Sequence, residues 1–164
     1  MNGFAAEQTF QRLVHNCQKI KTFKLPTSKE LINIALSSSV GKQRVKSAIP
    51  HLHKEFRIII KNPNTQQLNN IIDWEQIPPT VILDKIFGID SIVNICGYTI
   101  AIDITANPSA VEDKVSKLSH LKPMWSKLGI DKACACLVSD TESPTLWSIL
   151  KSVIRSEKVI SITI

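Results

Sequence analysis

Between Phe87 and Lys117 the chain reads FGIDSIVNICGYTIAIDITANPSAVEDKVSK, and this stretch constrains the fold more than any other. Two apolar runs, Ser91–Cys96 and Tyr98–Ile104, lie either side of Gly97 and predict two strands joined by a tight turn. Strand residues two apart share a face, so Ala101, Asp103 and Thr105 point one way and Ile102 and Ile104 the other. Asp103 thus emerges near the end of an otherwise apolar strand. Asp90 stands before the partner run, and pairing about Gly97 brings the two acids next to each other. Adjacent carboxylates repel, which costs stability unless a divalent cation sits between them. The S-x-x-E spacing of Ser109–Glu112 predicts a capping box and a helix from Ser109 to about His120, apolar at Val111, Val115 and Leu118. Lys114 falls within that spacing and leans toward the sheet. A lysine so placed helps to neutralise charge developing on a phosphoryl group.

The flanking sequence supplies the layers. Residues 4–20 read as an amphipathic helix with Phe10, Leu13, Val14, Cys17 and Ile20 on one stripe. Glu7 lies on the extension of that stripe, either at its rim beside other polar groups or solvated in the first turn, where the helix dipole favours an acid. Ala133–Val138 (ACACLV) is a continuous apolar run, as expected of a strand covered on both faces. Thr145–Arg155 reads as a helix and Val159–Ile164 as a last strand. The order predicts an α/β sandwich with a mixed central sheet.

A second, basic segment interrupts this order. Thr27 or Ser28 with Glu30 starts a short helix bearing Leu31, Ile32, Ala35 and Leu36; Gly41 to His53 continues as a basic helix with Val45, Ala48, Ile49 and Leu52 inward. Two short helices about a Ser/Gly turn have the outline of a helix-turn-helix, and the basic face suits contact with a phosphate backbone. Phe56–Ile60, Leu68–Trp74 and Thr80–Phe87 are too short for periodicity to separate strand from helix, and NPNTQQ (Asn62–Gln67) is a loop. The expected organisation is therefore a first core helix over 1–21, an inserted, mainly helical basic lobe over 22–79, and an α/β core over 80–164.

Charge follows the same division. The 164 residues carry a formal net charge of +6. Between Thr22 and Asn62 the eight bases Lys24, Lys29, Lys42, Arg44, Lys46, Lys54, Arg57 and Lys61 face only Glu30 and Glu55; eight minus two is the whole excess. A localised basic lobe points to a polyanionic partner, with Lys42, Arg44, Lys46, Lys54 and Arg57 as candidate nucleic-acid contacts. At 5 % aromatic content the chain is a poor candidate for a base-stacking single-strand binder. No apolar run reaches the roughly 20 residues needed to span a bilayer, and MNGFAAEQTF lacks the layout of a secretory signal, so a cytoplasmic, non-membrane protein is expected. The four cysteines form no C-x-x-C pair and the four histidines are not at zinc spacing, which predicts buried, reduced thiols. Walker, nucleophile-elbow and dinucleotide fingerprints are absent.

GIDSIVNICGYTIAIDIT resembles the motif of the PD-(D/E)XK nuclease superfamily, the restriction-endonuclease-like fold: an acid at one strand, then an apolar strand ending in acid-x-lysine, then a helix. The resemblance covers residues 1–20 and about 80–164, with 22–79 as an insertion. It implies a restriction-endonuclease-like α/β sandwich and an Mg²⁺-dependent DNA endonuclease (Mn²⁺ as a substitute) that hydrolyses phosphodiester bonds. It further implies Asp90 and Asp103 as metal ligands, Glu7 in GFAAE as a third acid, double-stranded DNA as substrate, and a homodimer or higher homo-oligomer, because cutting two strands needs two sites. The chain departs from the pattern at Thr105, which holds the lysine position. Some members of the superfamily supply that lysine from the following helix, which makes Lys114 the catalytic candidate here and Lys117 the second. The competing expectation is a catalytically inactive nucleic-acid-binding or accessory protein that keeps the fold.

Overall fold

The computed structural model describes residues 1–56, 73–139 and 145–164. Two compact units emerge, one of Met1–Phe23 with Gly88–Ile164 and the other of Lys24–Phe87.

The first unit is built on a five-stranded mixed sheet. Helix α1 (Gly3–His15) is followed by the two-residue strand β1 (Lys21–Thr22); after the second unit come β2 (Ser91–Ile95), β3 (Tyr98–Thr105), helix α5 (Val111–His120), a short turn α6 (Lys122–Trp125), β4 (Lys132–Leu137), α7 (Leu146–Arg155) and β5 (Ile160–Thr163). The strands lie in the order β1-β2-β3-β4-β5, antiparallel from β1 to β3 and parallel from β3 to β5. Ile95 pairs with Tyr98, leaving Cys96 and Gly97 as a two-residue loop. Both loop residues have positive φ, 51° and 81°, the geometry whose twist matches a hairpin.

Alternation along the strands sorts the two faces. Ile100, Ile102 and Ile104 pack with Cys134, Cys136 and Ile162 against Phe10 and Val14 of α1 and Leu150 and Val153 of α7. The opposite face carries Ala101 and Asp103, in register with Ala133 and Ala135 of β4. These small neighbours let α5 lie against the sheet, with Leu118 fully buried.

Several local expectations change. Helix α1 stops at His15, five residues early: the Asn16 and Cys17 N–H groups bond back to Arg12 and Val14, and Cys17 is only half-buried. Cys96 is exposed in the hairpin loop, so the expectation of a buried thiol fails there. Cys134 and Cys136 are buried, and burial raises both thiols, that of Cys136 to about 12. The capping box at Ser109–Glu112 does not form. Asn107 takes that part: its side chain accepts from the Ser109 N–H (3.1 Å), a 3-10 turn over Pro108–Ala110 follows, and α5 begins at Val111.

The second unit is helical among its described residues. Helix α2 (Ser28–Leu36) starts in a complete capping box of Thr27 and Glu30, and α3 (Ser39–Phe56) follows after two serines. Ala35 of α2 and Val45, Ala48 and Leu52 of α3 are buried. Trp74–Gln76 is a 3-10 turn, and α4 (Pro79–Ile82) runs on into a π turn, Leu83–Phe87. Arg44 reaches from α3 to that turn, donating to the carbonyls of Ile86 (2.9 Å) and Lys85 (3.0 Å). The unit therefore extends to Phe87, where sequence reading places the boundary at Pro79. Arg57, Lys61, the Asn62–Gln67 loop and most of Leu68–Trp74 lie outside the described residues.

Candidate active site

Asp103 is the centre of the site. Its position on β3, facing away from the isoleucines, carries it under α5, where it is 1 % exposed. An isolated carboxylate at that depth is costly, so charge must come to it. Helix α5 brings it from two positions three residues apart on one face. The Lys114 ammonium donates to Oδ1, and the Lys117 ammonium lies against Oδ2. The two contacts differ in quality. Lys114 makes an aligned hydrogen bond, whereas Oδ2 is ion-paired to Lys117 without one.

Gly88 makes the second contact possible. Its φ is +65°, and a Cβ built there would stand 2.9 Å from Cε and 3.0 Å from Nζ of Lys117. The Lys117 stem therefore runs across the bare face of a glycine in the left-handed region, where a side chain would be strained and would collide. Sequence reading leaves Gly88 without a role; the three-residue spacing of Lys114 and Lys117 was the available signal, since both then serve one face.

Asp90 closes the other side. Its N–H donates to the Ile102 carbonyl (2.9 Å) and its Oδ2 accepts from the Ile104 N–H (2.6 Å). The side chain thus takes a β3 backbone donor at the end of the ladder, which holds the carboxylate across Ile102–Ile104 and so beside Asp103. Burial pushes its carboxyl up to about 7; the Ile104 N–H and Lys114 lower it, while Asp103 and Glu7 add to the rise. Glu7 is exposed on α1. Four residues on, Gln11 donates through Nε2 to Ser91 Oγ (3.2 Å), which fixes this face of α1 beside the start of β2. Glu7 therefore stands at the rim, close enough for Asp90 to feel its charge.

Thr105, at the motif's lysine position, is buried and its Oγ1 accepts from the Asn107 N–H (3.0 Å). It closes the turn that leads into α5. The positive charge that the strand lacks arrives from the helix.

Comparison with family models, curated proteins and solved structures finds no match to this chain.

The other candidates lie apart from this centre in sequence and unit. Lys42, Lys46 and Lys54 are exposed on α3, while Arg44 is half-buried with its guanidinium on the Lys85 and Ile86 carbonyls. Among the described residues no group of three or more His, Cys, Asp or Glu side chains is arranged to hold a metal, and no helix is long and apolar enough to cross a membrane.

Proposed function

We propose that the sheet-based unit is a divergent PD-(D/E)XK-type nuclease core that hydrolyses phosphodiester bonds in DNA with Mg²⁺, and that the α3 face contacts the DNA backbone. The observation that supports it is the meeting of Asp103 on β3, Asp90 beside it and Lys114 from the following helix. Lys114 then takes the part of the lysine missing at Thr105.

The donor set fits the ion. Mg²⁺ takes oxygen ligands, keeps several waters, and is commonly held by one or two carboxylates together with substrate phosphate. Here Asp90, raised chiefly by burial, also feels the Asp103 and Glu7 charges, so a further cation among these acids would favour its ionised, ligating form. Oδ2 of Asp103 makes an ion pair with Lys117 but no hydrogen bond. Asp90 and Asp103 would hold the ion, with Glu7 at the rim. The ion supplies Lewis-acid stabilisation of a phosphoryl oxygen and a more acidic bound water. Lys114 fixes the Asp103 carboxylate in orientation and presents an ammonium toward the phosphoryl charge. Asp90, held by the Ile104 N–H, keeps its second oxygen available to the site.

Lys42, Lys46 and Lys54 would bind phosphates without reading bases, and double-strand cleavage would use a homodimer. One observation favours a second reading: both Asp103 oxygens face lysines, as in a structural ion triad of an inactive DNA-binding protein. Incubation of supercoiled plasmid with Mg²⁺ or Mn²⁺ separates the two. The nuclease reading expects nicked and linear products that vanish in Asp103→Ala while that variant still binds DNA in Ca²⁺; the inactive reading expects salt-sensitive binding and no products.

A further inference from the structure

The two lysines on Asp103 are not equivalent, and their difference concerns how a metal enters. We propose that Lys117 is a displaceable counter-ion that occupies the place of the divalent cation on Asp103 and leaves when the metal binds, while Lys114 stays. This rests on the reading that Asp90 and Asp103 hold a metal.

Four observations carry it. Asp103 is 1 % exposed, so its charge needs a cation at all times, with metal or without. Lys114 is 23 % exposed and holds Oδ1 through an aligned hydrogen bond; Lys117 is 34 % exposed and meets Oδ2 by charge alone. The Lys117 stem rests on Gly88, which has no side chain to interlock with it. Lysine also suits the part: its compact ammonium sits on a flexible four-carbon stem that swings to solvent readily. Withdrawal of Lys117 uncovers Oδ2 of Asp103, and the net charge there rises by one when a dication replaces an ammonium. Asp90 and Glu7, the other acids near the site, gain from that rise.

The consequence is a competition that can be measured without any cleavage. Mn²⁺ titrated calorimetrically into chelator-treated protein should bind Lys117→Gln about tenfold more tightly than the unmodified chain, since 1.4 kcal/mol of lost competition is a factor of ten. Asp103→Asn should bind no Mn²⁺. If Lys117→Gln fails to fold, the unmodified protein still decides the matter: limited amine labelling read by mass spectrometry should show Lys117 becoming more reactive when Mn²⁺ is added, with Lys114 unchanged. Equal or weaker Mn²⁺ binding by Lys117→Gln, or unchanged Lys117 labelling in the metal-loaded protein, overturns the displacement while leaving the metal site standing. Absence of Mn²⁺ binding in both proteins overturns the metal reading itself.

Discussion

In the sheet-based unit Lys114 and Lys117 turn inward onto a buried aspartate, whereas in the helical unit Lys42, Lys46 and Lys54 stand exposed along α3. One residue type thus does two kinds of work, set by the dielectric around it. Beside Asp103 the lysines answer a desolvated charge, so their loss is felt in stability. On α3 they are solvated, their interactions screened over a Debye length of about 8–10 Å, so their loss should be felt little in stability. Arg44 shows that position on α3 does not decide this by itself: it shares the basic stretch, yet its guanidinium serves the carbonyls of the π turn.

The contrast breaks most visibly at Asp103. Asp103→Ala should lower cleavage by a factor of about 10³, as for loss of a principal electrostatic group. It should also cost about 2 kcal/mol in urea denaturation, below the full price of a broken buried pair because both lysines can extend to water. Lys114→Ala should cut cleavage by about 10² and destabilise, since Asp103 keeps only the poorly aligned Lys117. The matching change Lys46→Ala should leave urea stability within about 0.5 kcal/mol. If Lys46→Ala destabilised as much as Lys114→Ala, the division into structural and solvated lysines would be wrong.

A pH comparison sharpens the same point. Asp90 is raised to about 7 from an ordinary value near 3.8, chiefly by burial. A carboxyl raised on folding contributes stability that is complete below its unfolded value and is lost as pH climbs through the folded one. Asp90 therefore costs stability progressively between about pH 4 and pH 7. With chelator present, Asp90→Asn, which keeps an acceptor for the Ile104 N–H, should melt at the same temperature as the parent at pH 4 and about 3 °C higher at pH 8. A constant difference across that range would show that ionisation of Asp90 is not what strains the site.

The smallest effects belong to α3. Lys42→Ala, Lys46→Ala and Lys54→Ala should each weaken DNA binding uniformly across sequences and reduce the salt slope by about 1 if the lysine contacts a phosphate. Unchanged slopes in all three would remove α3 from the DNA interface.

The strand pair about Gly97 and the facing of Asp103 were legible in sequence because period-2 patterning is local and tight turns have their own chemistry. The approach of Lys114 to the sheet was legible too, since Lys114 shares helical spacing with Val111 and Leu118. Other parts were hidden for physical reasons. The end of α1 at His15 is set by backbone bonds that the apolar stripe through Cys17 and Ile20 masks. Asn107 outcompeted Ser109 as the cap because an asparagine before proline offers its oxygen two residues on, a choice that S-x-x-E spacing does not reveal. Gly88 was silent because its role is defined by a lysine 29 positions later (117 − 88) and by a backbone angle. In the 80–87 segment, eight residues carry too few periods to separate strand from helix, and packing decided for a helical turn.

The central claim is that charge delivered by α5 to Asp103 makes a working phosphodiesterase site without a lysine at Thr105. Plasmid nicking in Mg²⁺ by Lys114→Ala, and by Lys114→Ala combined with Thr105→Lys, tests it most directly. The first should lose about two orders of magnitude, and the second, with a lysine placed at position 105, should recover part of the loss. Full activity in Lys114→Ala would contradict it.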